Sequence, residues 1–514
     1  MKRFLAIILP LFFATTAFAQ PKPDLDTTVR RAMQAFEVPG IAVAIVKDGK
    51  VVLTKGYGVR KLGDPAPVTT ETLFGIASLT KAFTATALAI LVDEGKLRWD
   101  DRVIEHLPHF QMYDPYVTRE MTVRDLLVHR SGLGLGAGDL LFWPESTYTA
   151  DEIVQRIRHI KPATSFRSAY AYDNILYVVA GEVVEAVSGQ TWDEFTRTRI
   201  FAPVGMTASN TTIRQTHPDQ EVAMPHAKAD GKLTAFKPTR IDNNGPAASI
   251  NSNITDLAKW MLVLLGQGAL PGSDKRLFSE KQWKEMITPV TLMPIAEPRK
   301  PLAAMKPNFL TYALGWNVRD YRGKKVVMHS GGLVGMTCRL LLIPELNLGV
   351  AVLTNQEARS SDSIAFTVVD RELGPPYVDW VAAFAANNAE AEKEAQEKVK
   401  KATAARKLDT TPSLALDDYA GTYRDPWYGE VSLTREAGRL VLRFSRTAGL
   451  VGDLEHWQHD TFIARWRDRT LNADAYVTFS LNPDGSIAVM KMQPVSPLTD
   501  FSFDFQDLEF TKVK

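Results

Sequence analysis

Apolar positions change their rhythm several times along the chain. Between Gly40 and Val59 two apolar runs flank Asp48-Gly49, the strongest short hairpin signal, so two antiparallel strands are expected there. Leu79 to Val92 is built from Leu, Ala, Phe, Ile, Val and Thr, with Lys81 as its single charge, and stops before Gly95. A helix apolar on nearly every side is a buried helix. Helical patterns follow at Asp151–Ile160, Leu176–Ser188, Trp192–Ile200 and Thr255–Leu265, and strand-like runs at Val326–Met328 and Gly349–Leu353. Strands at both ends with helices between predict an α+β domain with one mainly antiparallel sheet.

The pattern then shifts. Ala389–Lys407 holds four acids, six bases and one branched apolar residue, Val399. Glu394/Lys398 and Glu397/Lys401 pair at i,i+4, which predicts a solvated linker helix with no apolar stripe for a partner. From about Leu414 the chain alternates short strands, such as Gly429–Leu433, Leu440–Phe444 and Tyr476–Leu481, with turns such as Asn482-Pro483-Asp484-Gly485. That is an all-β, barrel-like domain. The expected division is a leader over 1–19, a first domain over 20–376, a charged helical linker over 377–410 and the β domain over 411–514.

Composition adds exclusions. The 514 residues are 45% hydrophobic and 23% charged, which is ordinary globular composition. Sixty Lys and Arg against fifty-nine Asp and Glu leave +1, which argues against nucleic acid or another polyanion as partner. Lys2 and Arg3, the eleven-residue apolar run Phe4–Ala14 and Ala17-Phe18-Ala19 read as a secretory signal peptide. The run is too short for a membrane span, which needs about 20 residues. Without it the net charge passes from +1 to −1. The expected product is exported, periplasmic or secreted, with no stable membrane span. Cys338 is the only cysteine, so no internal disulfide supports the fold, and in its apolar run it reads as a small buried residue. His106/His109 and His456/His459 have a spacing a metal can use, but no H-E-x-x-H accompanies them. Neither a metal nor a cofactor is expected. Trp427, Tyr428, Trp457 and Trp466 read as core or rim of the β domain.

The chemistry begins with Lys81. A lone lysine in an apolar helix is costly unless it is paired or gives up its proton. Ser78 lies three residues earlier on the same helical face. A serine hydroxyl needs a base to attack a carbonyl at neutral pH, and a desolvated lysine is such a base. Bringing a lysine from ~10.4 to ~7 takes roughly 4.6 kcal/mol of selective destabilisation of the charged form, which burial plus a second cation can supply. S-x-x-K occurs once in the chain, at the N-terminal end of the buried helix, where free N–H groups favour a developing anion. Tyr172-Asp173-Asn174 adds a phenol that can relay a proton and an amide that can hold Lys81 or a substrate amide. His329-Ser330-Gly331-Gly332 follows a strand; its glycines permit close backbone approach, and the Gly332 N–H, with that of Ser78, can form an oxyanion hole.

Together and in this order the three elements resemble the serine β-lactamase and penicillin-binding protein family, closest to its class C β-lactamase and D,D-peptidase branch with the related esterases and D-amino-acid peptidases. Gly75-Ile76-Ala77-Ser78, His129-Arg130-Ser131-Gly132-Leu133, Leu314-Gly315-Trp316 and Leu353-Thr354-Asn355 add to the likeness, which covers residues 25 to 370. The resemblance implies a mainly antiparallel sheet flanked by helices, an all-helical subdomain, and a lipocalin-like barrel at the C-terminus. It implies an acyl-enzyme on Ser78, with Lys81 and Tyr172 sharing the proton transfers and Asn174 holding Lys81 and a substrate amide.

His329 departs from the pattern, since lactamases carry Lys there. A histidine is mostly neutral at pH 7, so the fixed positive charge is weakened and efficient β-lactam hydrolysis is less expected. The reading is therefore an exported, cofactor-free serine hydrolase of an ester or amide, with a D-amino-acid peptide among the substrates and residual β-lactam acylation. The alternatives are a true β-lactamase or D,D-carboxypeptidase, and a catalytically weak protein that binds penicillins or other ligands. The partner expected is a small-molecule or peptide substrate. At this point the oligomeric state stays open, as does which of Lys81 and Tyr172 is the ground-state base.

Overall fold

A computed structural model of the chain describes residues 21–513. The expected leader, residues 1–19, lies outside the described residues. No described helix is long and apolar enough to cross a membrane.

The first domain is organised by an eight-stranded antiparallel sheet. Its strands are β1 (Gly40–Lys47), β2 (Lys50–Gly58), β3 (Thr291–Leu292), β4 (Leu310–Tyr312), β5 (Asn317–Tyr321), β6 (Lys324–Leu333), β7 (Met336–Ile343) and β8 (Leu348–Thr354). They lie in the order β2-β1-β8-β7-β6-β5-β4-β3. The chain's first and last strands of this domain, β1 and β8, thus lie side by side. The Asp48-Gly49 turn joins β1 to β2 as expected.

The central strands are buried on both faces, which explains their unbroken apolar runs. Because successive side chains alternate across a strand, Ala42, Ala44 and Val46 of β1 enter one core and Ile41 and Val43 the other. The same division sends Ala351 and Leu353 of β8 one way and Val350 and Val352 the other. Helices α1 (Leu25–Phe36), α5 (Ser360–Leu373) and α6 (Trp380–Ala404) cover one face. On the other face lie α2 (Thr80–Asp93), α3 (Ile175–Ser188) and α4 (Ile254–Leu265), which build the larger core with the intervening short helices.

The linker helix differs from expectation. It begins at Trp380, nine residues before the charged run at Ala389. Trp380, Val381 and Phe384 are buried in the α1–α5 core, and Trp380 Nε1 donates to Asp370 Oδ2 at 2.8 Å. Only the later turns are solvated, and even there Arg299 holds Glu394 at 2.7 Å. The expected linker over 377–410 does hold one helix, but its first turns are docked in the core and not solvated.

The C-terminal domain is a second eight-stranded antiparallel sheet. It consists of β9 (Gly421–Asp425), β10 (Gly429–Glu436), β11 (Arg439–Phe444), β12 (Val451–Gln458), β13 (Thr461–Trp466), β14 (Ala475–Leu481), β15 (Ile487–Pro494) and β16 (Thr511–Lys512). Neighbours in sequence pair from β9 to β15, and β16 returns to β9. Met490 of β15 and Phe510, just before β16, exchange backbone hydrogen bonds at 2.8 and 3.1 Å, which brings the sheet close to a full barrel. Its interior is filled by rings: Phe444 lies edge-on to Tyr428 at 4.9 Å and to Trp466 at 5.9 Å. A packed aromatic interior is the usual solution for a barrel of this size. Trp427, Tyr428 and Trp466 are buried as expected of core residues, while Trp457 is half-buried at the rim.

The barrel is fastened to the first domain. Arg446 pairs with Glu152 at 2.9 Å, and Arg156 donates to the Trp427 carbonyl at 2.8 Å. Between β15 and β16 the chain leaves the barrel, and Asp504 accepts the backbone N–H groups of Gly138 at 2.7 Å and Leu140 at 3.1 Å.

The buried start of α6 generates a stability prediction. Trp380→Ala removes a fully buried indole and should cost about 3–5 kcal/mol. Urea unfolding checks this, and a loss below about 1 kcal/mol would contradict the docked helix.

Candidate active site

Ser78 sits in a short 3-10 turn, Ala77–Leu79, that runs straight into α2. The turn is held from behind: Ile76 N–H donates to the Ile250 carbonyl at 2.9 Å, and Phe74–Gly75 pairs with Asn251–Ser252. Ala77 has a φ of 48°, a left-handed conformation costly for a residue with a Cβ, and such strain gathers at functional sites. The end of β6 lies directly against this turn. A Cβ on Gly331 would come within 2.4 Å of the Ile76 carbonyl oxygen and 2.5 Å of Cys338 Sγ, whereas one on Gly332 would meet nothing within 4 Å. Gly331 therefore lets strand and turn touch, and Gly332 opens onto the cavity.

Lys81, one helical turn on from Ser78, is completely buried. Its Nζ has three polar neighbours: Ser78 Oγ at 3.0 Å, Asn174 Oδ1 at 2.7 Å and the Ala247 carbonyl at 3.1 Å. Burial brings the amine down to about 7. No second cation does this. The charges acting on Lys81 are the carboxylates of Asp139 and Asp173, which pull the other way, and the ring faces of Tyr172 and Tyr177 at 4.8 and 5.1 Å also favour the ammonium. Desolvation outweighs all four.

The Tyr172 hydroxyl donates to Ser78 Oγ at 2.8 Å. Burial among rings holds this phenol well above its ordinary value, so it is a proton donor at neutral pH. The His129 ring packs at a tilt against Tyr172, 4.2 Å between ring centres, and its Nδ1 accepts the Asp173 N–H at 3.2 Å. That makes His129 a buried brace for the Tyr172–Asn174 segment. Asn174 presents its carbonyl to Lys81 and its Nδ2 to Asp139 Oδ2 at 2.8 Å. Asp139 is fully buried and burial pushes it up to about 8.

His329 is buried, and both of its nitrogens are engaged by the protein. Nδ1 lies 2.6 Å from the Ser330 carbonyl, which can only accept, so Nδ1 carries the proton and Nε2 accepts from the Tyr312 hydroxyl at 2.8 Å. Burial, with Lys81 nearby, holds this ring well below 6.5. The strand-end charge is therefore absent, not merely weakened. Ser330 and Gly332 are exposed at the cavity.

The cavity has a volume of about 890 Å³. Its lining includes Ser78, Tyr172 and Asn174 together with Phe142, Trp143, Phe501 and residues 330–333. Charged side chains also line it. Arg339 and Arg359 share Asp362, with contacts of 2.6 and 2.8 Å, and hold it as a carboxylate despite its burial. Opposite in sign, the Glu357 carboxyl is pushed up to about 7 by desolvation and by Asp500.

The structure thus brings Ser78, Lys81, Tyr172, Asn174 and the 329–332 segment to one place. It also adds residues that no motif announced: Asp139, Tyr312, Phe501 and Ser502. Asp139 sits in a glycine-flanked stretch, Gly136-Ala137-Gly138-Asp139, and Ser502 in the alternating run Asp500–Phe505, so each had a local signal of unusual composition but none of chemistry. The Cys338 thiol is pushed up to about 12 by burial and donates to the Ile76 carbonyl at 3.1 Å, which makes it a structural contact. Of the other histidine pairs, His106 lies 3.4 Å from Asp101 and His456 Nε2 contacts the His459 carbonyl. No cluster of three or more ligating side chains occurs among the described residues.

The Beta-lactamase family profile matches residues 25–372, and a domain of unknown function, DUF3471, matches residues 405–512. A protein of Aspergillus campestris named unguisins hydrolase ungD' is 28% identical over 82% of this chain and 79% of its own length. Protein flp of Staphylococcus aureus is 26% identical over 65% of this chain and 62% of its own. Among solved structures, the octameric penicillin-binding protein homologue from Pyrococcus abyssi superimposes with a TM-score of 0.59 at 23% identity, covering 95% of this chain and 98% of that one. At that identity the likeness concerns the fold.

The contact between β6 and the Ser78 turn is directly testable. Gly331→Ala should lower stability by about 1–3 kcal/mol through overpacking and displace the turn, while Gly332→Ala should leave Tm unchanged. Thermal unfolding of the two variants side by side checks this, and equal Tm values would contradict the close approach.

Proposed function

The chain belongs to the beta-lactamase family, and from that premise we propose that it is a serine hydrolase that cleaves an ester or amide through an acyl-enzyme on Ser78. One observation carries the reading. Of the three polar atoms around Lys81 Nζ, two are carbonyl oxygens that can only accept hydrogen bonds. A neutral amine spends its two N–H groups on them, and its lone pair is left facing the Ser78 hydroxyl. Lys81 is thereby the ground-state base and Tyr172 the acid.

Lys81 takes the proton as Ser78 Oγ attacks the carbonyl. The N–H groups of Ser78 and Gly332 receive the oxyanion. The leaving group takes its proton from the Tyr172 phenol, which is replenished from the Lys81 ammonium. Water then enters, Lys81 and Tyr172 act in reverse, and Ser78 is released. No cofactor is required. The relatives named as unguisins hydrolases support a hydrolytic reading. A D-amino-acid peptide is a candidate substrate, and a basic leader over residues 1–19 supports export to the periplasm or beyond. Nucleic acid is not an expected partner.

A second reading, a true class C-type β-lactamase or D,D-carboxypeptidase, is favoured by one feature. Arg339 and Arg359 together exceed the charge of Asp362 and face the cavity, so they can receive a substrate carboxylate that the neutral His329 cannot.

Intact-mass analysis after fluorophosphonate treatment tests the proposal. One adduct is expected on the wild type and none on Ser78→Ala; an unlabelled wild type would refute it. The base form of Lys81 exists above about pH 7. The labelling rate should therefore level off above that pH and fall about tenfold for each unit below it. Turnover of p-nitrophenyl esters, nitrocefin and D-Ala peptides then separates the two readings.

A further inference from the structure

We propose that Asp139 and Ser502 are positioning residues through which the C-terminal barrel takes part in the Ser78–Lys81 centre. The inference rests on the reading of Lys81 as base to Ser78. Its basis is a continuous chain of hydrogen bonds. The Ser502 hydroxyl donates to Asp139 Oδ2 at 2.7 Å, Asn174 Nδ2 donates to the same oxygen at 2.8 Å, and Asn174 Oδ1 accepts from Lys81 Nζ at 2.7 Å. All four side chains are buried, so water does not compete for these bonds.

The chain fixes which way Asn174 points. A side-chain amide has a donating and an accepting end, and only a partner that accepts can select the NH2 end. Asp139 Oδ2, already receiving the Ser502 hydroxyl, is such a partner. With Nδ2 bound there, Oδ1 must face Lys81. A reversed amide would point N–H groups at the amine and draw its lone pair away from Ser78. The other carboxyl oxygen, Oδ1 of Asp139, is buried with no hydrogen-bond partner among the described residues, which leaves room for the proton of the neutral acid on that side.

The barrel supplies the fixed point. Asp504 clamps the N–H groups of Gly138 and Leu140 on either side of Asp139. Phe501 lies edge-on to the Tyr172 ring at 5.8 Å, and a Cβ on Gly136 would stand 2.7 Å from the Phe501 carbonyl oxygen. Residues 501–504 are therefore set against the active-site loop with little play, and Ser502 is carried with them.

Charge follows the same route. Lys81 is faced by Asp139 and Asp173, and by His129, His329, Tyr172 and Tyr177; Asp139 is faced by Lys81, Asp500 and Asp504. The hydrogen bonds from Ser502 and Asn174 favour the Asp139 carboxylate against its burial. Asp139 is only partly ionised where Lys81 titrates; the negative charge it keeps favours the ammonium, and removing either hydrogen bond reduces that charge.

The test uses the full chain and follows two readouts. The first is the titration of Lys81 by NMR of lysine labelled with carbon-13 at Cε, its resonance assigned by its absence in Lys81→Met. The second is the pH profile of fluorophosphonate labelling. Asp139→Asn should move the Lys81 midpoint lower by a few tenths of a pH unit, since Asp139 is only partly ionised where Lys81 titrates, and Ser502→Val should move it in the same direction by less. Ser502→Val should also lower the labelling plateau about five- to tenfold, and Ser502→Thr, which keeps the hydroxyl, should restore both. Wild-type midpoint and plateau in Ser502→Val and Asp139→Asn would overturn the proposal. If Ser502→Val fails to fold, Asp139→Asn decides by its midpoint. A wild type that never labels but whose Lys81 midpoint shifts in the variants removes the hydrolase reading and keeps the relay; a wild type that labels with an unmoved midpoint removes the relay alone.

Discussion

Everything at the candidate active site follows from the burial of one amine. Lys81 stands in a helix otherwise made of apolar and small residues, with no surface exposed. A charged ammonium there must be paired or discharged. The two carboxylates within its electrostatic reach would pair it, and the protein answers by burying Asp139 as deeply as Lys81 itself. Both groups are driven towards their neutral forms, the lysine down and the acid up. Neutrality is what makes the amine a base, because an ammonium among two carbonyls and a hydroxyl could only donate.

The rest of the fold serves the geometry of that discharge. A neutral amine has one lone pair, and it is useful only if Ser78 stands where the lone pair points. Ser78 is held there by a turn that carries a left-handed Ala77 and is pressed by the end of β6 through Gly331. The sheet makes this possible by being buried on both faces. β6 and β7 are clamped between two cores and cannot yield when the turn leans on them. The barrel closes the arrangement from the opposite side, through the segment that carries Phe501, Ser502 and Asp504.

The sequence disclosed those parts whose partners are near in the chain or whose composition breaks a local rule. Ser78 and Lys81 are one helical turn apart, and a charge in an apolar helix is visible without any structure. The Asp48-Gly49 hairpin and the alternating strands of the barrel were legible for the same reason. Three things were not. The Asp139–Ser502 bond joins residues 363 positions apart, and no periodicity reports such a meeting. The docked start of α6 was hidden because its apolar anchor precedes the charged run that dominates the composition. The second cation expected to share in the lysine's depression is not there: burial, which the apolar helix announced, acts against two carboxylates, and carboxylates brought in from distant segments leave no local mark.

His329 stands where the sequence resemblance expects a lysine, and the structure places a neutral ring there. Its two nitrogens are bound by Tyr312 and by the backbone of Ser330, and it is held neutral. The strand end therefore contributes shape and an adjacent glycine, not charge. Charge is supplied by other lining residues of the cavity: Arg339 and Arg359 outnumber Asp362, and Glu357 with Asp500 adds acid. An attacking centre of neutral groups has no preference for a charged substrate at the scissile bond. On the proposed reading, discrimination falls to contacts made away from that bond, where charged groups line the cavity. Such an arrangement separates the reaction from the choice of substrate, since the groups that set the proton on Ser78 and those that meet the ends of a substrate share no atoms.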